Sequence, residues 1–452
     1  MDTTKDTFYF CGVGGAGMSP LARLLAFQGK RVLGSDRSYD SGRNLPFFEK
    51  LKSEGITLVP QDGSRVDQSI GSFVYTRAVE NSIPDIARAQ ELGLRFVKRP
   101  QLMAEMFEQT KNIAVAGTSG KSTTTGMIGH IMSTVGRDPT VMNGAVMLNT
   151  GTNFRFGRSE YTVFEADESD GYEDVIIVCP ADIAVLTNIS LDHFEVDELK
   201  GMFSQFLAQS KTGAVINADC PISRSIQGAA KQVVTFGGGA DAEFSLARYP
   251  VELEIPGAHN ALNALAALAA CSLRGIDPKE GLAALRSFKG ISRRLEVVGR
   301  ARGVTVFDDF ASNPGKISAS LGTVISSHRR VFAVFQPHGF QPTKMMKDGY
   351  IETFSTVLRA DDELLMPDIY YVGGTTNLIN GQAVALPKDI SSRDVIEGVK
   401  SNGRSAQYLP TRDQIIEYLQ SAVDNGDAVV VMGSRDETLP EFSRAIAAAL
   451  AV

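Results

Sequence analysis

The sequence predicts an α/β protein of three domains, and three observations carry that expectation. The chain has 452 residues, and at roughly 150 residues per domain this length favours three, each able to bury its own core. Short apolar runs alternate along it with longer segments of helical period, the pattern of parallel sheets covered on both faces by helices. Two glycine-rich turns, at residues 12–17 and 117–120, each stand between a strand-like run and a helix-like segment.

Composition narrows the class. Hydrophobic residues make up 43% and charged residues 21%, ordinary values for a globular chain. Lys and Arg number 45 against 52 Asp and Glu, a net charge of −7. That leaves no broad basic field for nucleic acid, although a local pocket for one phosphorylated ligand stays open. No apolar run approaches the roughly 20 residues of a membrane span. The opening MDTTKDTFYFCGVGG lacks the basic, apolar and cleavage segments of a signal peptide. Cys11, Cys179, Cys220 and Cys271 never form CxxC, which argues against a disulfide framework or a zinc site. The expectation is a soluble cytoplasmic protein with neither nucleic-acid nor membrane partners.

The first domain is expected over residues 1–107. Its strand Phe8–Val13 runs into Gly12-Val-Gly14-Gly15-Ala16-Gly17, and an apolar-periodic helix follows from Met18 through Leu21, Leu24 and Leu25. Glycines there allow a tight turn and close approach of a ligand, while the helix start offers free N–H groups to phosphate. The next strand, Arg31–Ser35, ends at Asp36, where a dinucleotide fold places its ribose-binding acid. Gly12, Gly14, Gly15, Ala16, Gly17, Met18, Ser35 and Asp36 are thus the expected lining of a nucleotide diphosphate site in a Rossmann-like domain. A purely structural glycine turn is the alternative, and the loop does not specify which nucleotide.

The second domain, residues 108–297, opens with the strand Ile113–Ala116 and the loop Gly117-Thr118-Ser119-Gly120-Lys121-Ser122-Thr123. In a phosphate cradle, backbone N–H groups hold the phosphates, the lysine reaches the β/γ oxygens and the hydroxyl meets Mg²⁺. The full P-loop motif wants a glycine where Val115 stands, so this is a shortened P-loop. The strand Tyr161–Glu165 leads into Glu165-Ala-Asp167-Glu168-Ser-Asp170, acids at the strand end where such sheets bind ligands. Mg²⁺ takes few carboxylates and several waters, so one or two of these acids suffice.

Further candidates are weaker singly. The strand Ile183–Thr187 ends in Asn188-Ile-Ser-Leu-Asp192-His193. An Ala/Leu-rich helix over Asn260–Ala270 presents two amides, Asn260 and Asn263, on one face, fit to pair an adenine edge or to cap the helix. The third domain, residues 298–452 and again Rossmann-like, holds strands Val304–Phe307, Val331–Phe335 and Ala428–Met432. Flanking the boundary between the second and third domains stand Ser292-Arg293-Arg294 and Asp308-Asp309-Phe310, suited to phosphate and ribose or to an interdomain salt bridge. His338 follows Phe335-Gln-Pro in a strand-end cluster.

In this order the motifs resemble those of the Mur ligases, ATP-dependent amide-forming enzymes of peptidoglycan synthesis. FCGVGGAGMSPLA resembles the UDP-binding turn of the branch that joins alanine to the muramate sugar, and AVAGTSGKSTTT the family P-loop. EADESD resembles its magnesium acid, TNISLDH its magnesium histidine and GAHNALNALAA its adenine helix. SRRLEVVG resembles its arginine segment, DDFASNP its ribose loop, and FQPH a strand-end loop of the C-terminal domain. The resemblance implies a UDP-sugar domain, an ATP domain and an amino-acid domain.

The resemblance also implies the chemistry. ATP phosphorylates the carboxylate of UDP-N-acetylmuramate, an amine attacks the acyl phosphate, and L-alanine is the expected amine. ATP and Mg²⁺ are the implied cofactors, with Ser122, Glu165 and His193 on the metal and Lys121 neutralising phosphate. Gly117 to Thr123 would cradle the phosphates, Asn260 and Asn263 meet adenine, Arg294 phosphate and Asp309 ribose. Gly201–Ser210 has no lysine where several family members carry a carbamylated one, as in the alanine branch.

The departures fall mostly in the amino-acid domain. Ser119 stands for a usual histidine, Ser312-Asn313 for a His-His pair, and Gly433-Ser-Arg435-Asp436 for a Gly-Ala-Gly turn. Gly339 to Lys344 replaces an Arg-rich loop. His338, Lys344 and Arg435 are accordingly the expected contacts of the amino substrate. A ligase adding a preformed peptide or another amino acid is the alternative within this chemistry. A dehydrogenase using NAD is the alternative from another class, but leaves the second loop without a role. A sugar sensor without turnover is a third, against which Lys121, Glu165 and His193 argue. Either a monomer or a homodimer is compatible with the sequence.

Overall fold

The computed structural model describes residues 6–15, 17–76, 83–168, 175–190, 195–371, 377–379, 382–384 and 389–451. Ala16, Asp170 and His193 lie outside the described residues. The chain divides into two compact units, Met1–Glu254 with His259–Lys289, and Ile255–Ala258 with Gly290–Val452.

The first unit contains two sheets. In the N-terminal one, β1 (Thr7–Cys11), β2 (Arg31–Ser35), β3 (Ile56–Val59), β4 (Ser72–Tyr75) and β5 (Phe96–Lys98) run parallel in the order β3-β2-β1-β4-β5. The order reverses at β1, so the crevice beyond the carboxyl ends of β1 and β4 is the place such a sheet offers a ligand. The expected strand Phe8–Val13 begins and ends earlier, because the chain leaves the extended region at Gly12, with φ +80°.

The second sheet is built from β6 (Lys111–Ala116), β7 (Thr140–Met147), β8 (Thr152–Arg155), β9 (Tyr161–Glu165), β10 (Ile183–Leu186), β11 (Gly213–Asn217), β12 (Val233–Gly237) and β13 (Phe244–Ser245). Its order is β13-β12-β11-β10-β6-β9-β7-β8, and only the β7–β8 hairpin pairs antiparallel. The β6 run KNIAVA is buried on both faces after its first residue, as a central parallel strand requires. The expected helix over Asn260–Ala270 spans Ala258–Ser272 and its Ala/Leu face is core.

Side chains tie the two sheets of this unit together. Arg23, 5% exposed, holds Glu54 through Nε and Nη2 at 2.5 and 2.7 Å, reaches Thr152 Oγ1 at 3.0 Å, and lies 4.8 Å over the Phe154 ring. One turn on, Phe27 stacks on Phe156 with centroids 5.2 Å apart. Phe107, at the end of the helix Arg99–Phe107, stacks on Phe164 of β9.

The second unit has β14 (Glu296–Ala301), β15 (Val304–Asp309), β16 (Val331–Phe335), β17 (Glu363–Met366), the small hairpin β18 (Asn377–Ile379) and β19 (Gln382–Val384), then β20 (Ser405–Tyr408) and β21 (Ala428–Met432). The main sheet runs β14-β15-β21-β16-β17-β20, parallel except for the β14 edge. β15 extends two residues beyond the expected Val304–Phe307, so Asp308 and Asp309 belong to the strand and are buried.

Candidate active site

At the first glycine loop, the Gly14 N–H donates to Asp36 Oδ2 at 2.8 Å, and Asp36 Oδ1 accepts from Ser38 N as the cap of the next helix. Asp36 therefore stands directly under the loop with both oxygens engaged. Met18 is core, and Ser35 is fully buried with its hydroxyl turned to Asp85 at 2.5 Å. Asp85, also fully buried, accepts from Tyr9 Oη at 2.8 Å and Gly63 N at 2.7 Å as well. Three donors satisfy one carboxylate and lock β1, β2 and the turn after β3 together. The motif reading missed Arg99, whose guanidinium covers the loop: a Cβ on Gly17 would lie 2.6 Å from its Nη1. Nothing in the spacing of Arg99 signals this, since the chain comes back to the loop only through the β4–β5 pairing.

The second loop is braced from β10. Asn188 grips Ser119 with both ends of its amide, accepting from Ser119 N at 3.1 Å and donating to Ser119 O at 2.9 Å. Thr187 Oγ1 donates to the same carbonyl at 2.7 Å, and Thr118 exchanges hydrogen bonds with Ser190. Gly120, at φ +85°, turns the chain into the helix Lys121–Thr134, and a Cβ there would lie 2.5 Å from Asn263 Oδ1. The amide of Asn263 thus rests on the loop, and its Nδ2 donates to Asn260 Oδ1 at 3.3 Å. Lys121, Ser122 and Thr123 open the helix, so their N–H groups are those a helix start leaves for an outside acceptor.

Lys121 Nζ donates to Gly117 O at 2.8 Å and to both Glu168 oxygens at 2.9 Å, with Asp167 3.4 Å away. Burial works against its charge, but the carboxylates of Glu168, Asp167 and Glu165 outweigh it and hold the ammonium above its ordinary pKa. Burial likewise pushes Glu168 up to about 7, against the pull of Lys121. Glu165 accepts from Gly144 N at 2.9 Å. The structure therefore gathers Gly117 to Thr123, Glu165, Asn260 and Asn263 around one helix start.

In the second unit, Asp309 is 5% exposed. It accepts from Leu295 N and Ala311 N at 2.7 Å each and from Ser320 Oγ at 3.1 Å. Those bonds pin a loop in which Arg293 and Leu295 take left-handed backbones, at φ +59° and +49°. Arg293 and Arg294 stand 5.0 and 5.3 Å over the Phe310 ring. Arg293 Nη2 donates to Gly433 O at 2.7 Å, while its Nε lies 3.5 Å from the fully buried Asp308. Burial pushes Asp308 up to about 6, opposed by Arg293.

His338, just beyond β16, shares a 3.0 Å hydrogen bond with Ser434 beyond β21. Burial first, and the charge of Arg435 second, hold its pKa below the usual imidazole value. His338 and Arg435 are thus neighbours at the strand ends, whereas Lys344 pairs with Asp389 on the surface. Arg412 also comes to this end, bonded to Gln336, Asp436 and Thr438. It carries no motif, and only its fold position reveals it.

The comparisons match this architecture from end to end. Family models described as Mur ligase family, catalytic domain; Mur ligase middle domain; and Mur ligase, glutamate ligase domain match residues 7–111, 115–271 and 293–435. The UDP-N-acetylmuramate–L-alanine ligase of Desulforamulus reducens is 33% identical over 460 residues, covering 95% of both chains. The fold is similar to that of the UDP-N-acetylmuramate-alanine ligase of Thermotoga maritima, with a TM-score of 0.76 at 22% identity over 97% of this chain and 98% of that one. It is also similar to a murein peptide ligase of Psychrobacter arcticus, with a TM-score of 0.65 at 23% identity over 98% of both. With three consecutive domain models and a relative matched over nearly its whole length, the chain belongs to the Mur ligase family.

Proposed function

We propose that this ligase joins L-alanine to the carboxylate of UDP-N-acetylmuramate, with ATP converted to ADP and phosphate. The observation that carries the reading is Lys121, held by carboxylates at the start of a helix whose loop is braced for a phosphate chain. The full-length similarity to a ligase of that name supports the substrates.

The glycine loop, with Arg99 above it, holds the UDP diphosphate; Gly12, Gly14, Gly15, Ala16, Gly17, Met18, Ser35 and Asp36 shape that site. Lys121 and the N–H groups of Lys121, Ser122 and Thr123 hold the β/γ phosphates, so the charge moving in the transfer meets fixed donors. Asn260 and Asn263 meet adenine, Arg294 a phosphate, and Asp309 the ribose through the loop it braces. The donors fit Mg²⁺: Ser122 and Glu165 are hard oxygen ligands, Glu165 keeps one oxygen clear of the Gly144 bond, and His193 completes the proposed set. Bound there, Mg²⁺ supplies charge neutralisation to the phosphoryl oxygens.

In the reaction, a substrate carboxylate oxygen takes the γ-phosphoryl group of ATP, giving an acyl phosphate and ADP. The amine nitrogen then bonds the acyl carbon and gives up a proton, the C–O bond to phosphate breaks, and phosphate leaves. His338, Lys344 and Arg435 receive the amino substrate. The domain boundaries near residues 108 and 298, a cytoplasmic location and a monomer or homodimer belong to the same reading; among the described residues no helix is long and apolar enough to cross a membrane.

The test is phosphate release with ATP, Mg²⁺ and UDP-N-acetylmuramate, run in parallel with L-alanine, other amino acids and the stem tripeptide. Stimulation by L-alanine supports the reading. Stimulation by another amine keeps the ligase and replaces its substrate.

A further inference from the structure

Asn143 is a residue that no motif singled out. It lies near the middle of β7, 3% exposed, and its Nδ2 donates to Ser122 O at 3.0 Å. That acceptor is a carbonyl, so the nitrogen must face it and the amide orientation is fixed. Oδ1 then points the other way, and no donor among the described residues meets it. A buried amide oxygen without a partner keeps the cost of its lost hydration, so a donor ordinarily answers it.

The sheet register says where that oxygen stands. β7 and β9 pair in parallel, Val141 beside Val163 and Met142 beside Phe164. Continuing one residue sets Asn143 beside Glu165, on the same face of the sheet. The next N–H, that of Gly144, already bonds Glu165. Val141 on that face meets Gly129 of the helix Lys121–Thr134, so the face looks onto the helix that Ser122 opens. Asn143 is therefore bonded to the backbone of one residue proposed for the metal, Ser122, and in register with another, Glu165.

We propose that Asn143 is a further member of the divalent-cation site, its Oδ1 accepting from a water in the hydration sphere of Mg²⁺. The chemistry suits the ion, which keeps several waters and binds few carboxylates directly. The proposal rests on the nucleotide reading of the second loop and deepens it: one amide braces the hydroxyl-bearing residue with its nitrogen and serves the cation with its oxygen.

Calorimetric titration of ADP, in EDTA and across a Mg²⁺ series, tests it on the full chain, with Mn²⁺ paramagnetic resonance as a direct count of bound cation. Asn143→Ala is expected to cost ADP less affinity in EDTA than at saturating Mg²⁺. The Mg²⁺ concentration giving half of the metal-dependent tightening should rise about tenfold. Asn143→Asp, which keeps an oxygen in place, should return that concentration to the parent value or below it. An unchanged Mg²⁺ series in Asn143→Ala overturns the proposal. Equal weakening with and without Mg²⁺ overturns it too, since the amide then only braces Ser122, as does failure of Asn143→Asp to rescue. If the parent protein binds no ADP under either condition, the nucleotide reading itself fails, a separate result.

Discussion

Both carboxylate oxygens of the buried Glu168 lie 2.9 Å from Lys121 Nζ, so the lysine proposed to meet phosphate is already held by an anion of the protein. An incoming nucleotide has to take Lys121 from that partner. With Glu168 raised to about 7, the carboxyl is increasingly neutral below pH 7 and a full competitor above it. Nucleotide affinity should therefore fall as pH rises from 6 to 8, by roughly tenfold, about 1.4 kcal/mol. Glu168→Gln should abolish this dependence beyond what phosphate ionisation alone gives. Calorimetric Kd values at three pH values for both proteins decide it, and parallel profiles would remove Glu168 from the account.

Asp85→Asn should lower the stability of the first unit. The carboxylate accepts from Tyr9, Ser35 and Gly63, and an amide would turn an NH₂ group toward one of these donors. The expected loss is about 3 kcal/mol in urea unfolding of the first unit. A loss below 1 kcal/mol would mean that the donors find other acceptors.

The second unit should carry its own pH signature through Asp308. Its folded-state pKa is raised to about 6 from an ordinary 3.8, so the folded form binds the extra proton. That contribution is fully present below pH 3.8 and is lost as pH rises through 6. Asp308→Asn should flatten stability across this window, gaining on the parent by about 2 kcal/mol between pH 4 and pH 7. Chemical denaturation at both pH values measures the difference, and an equal slope in the two proteins would contradict it.

Arg99→Ala should weaken UDP-sugar binding by ten- to a hundredfold while leaving ADP affinity alone, because its guanidinium covers the first glycine loop and not the second. Loss of both affinities together would point to a folding defect instead.

Much of this was legible in the sequence where function and backbone constraint coincide. The strands before Gly12 and Gly117 are short apolar runs, and each loop needs its own residues to make the turn, so the motifs announce themselves. Asn260 and Asn263 were legible because helical spacing puts them on one face. Arg99, Asn143 and Arg412 were not, since each reaches its place through strand pairing between distant segments, which leaves no local pattern. Asp309 was found by its strand-end position, but its engagement with Leu295, Ala311 and Ser320 depends on a loop whose left-handed turns occur at non-glycine residues. His193 and Ala16 lie outside the described residues.

The Arg23 contact bears on how freely this chain can be recombined. Arg23 spans from Glu54 to Thr152 and Phe154, and Phe27 stacks on Phe156. A piece cut after Phe107 would therefore uncover aromatic rings and strand a guanidinium whose second partner stayed behind. Exchange of the nucleotide-sugar segment between related ligases has to carry the β7–β8 hairpin with it, although the hairpin lies well downstream in another domain. The seam at which this protein can be taken apart does not coincide with the seam at which its sequence motifs divide.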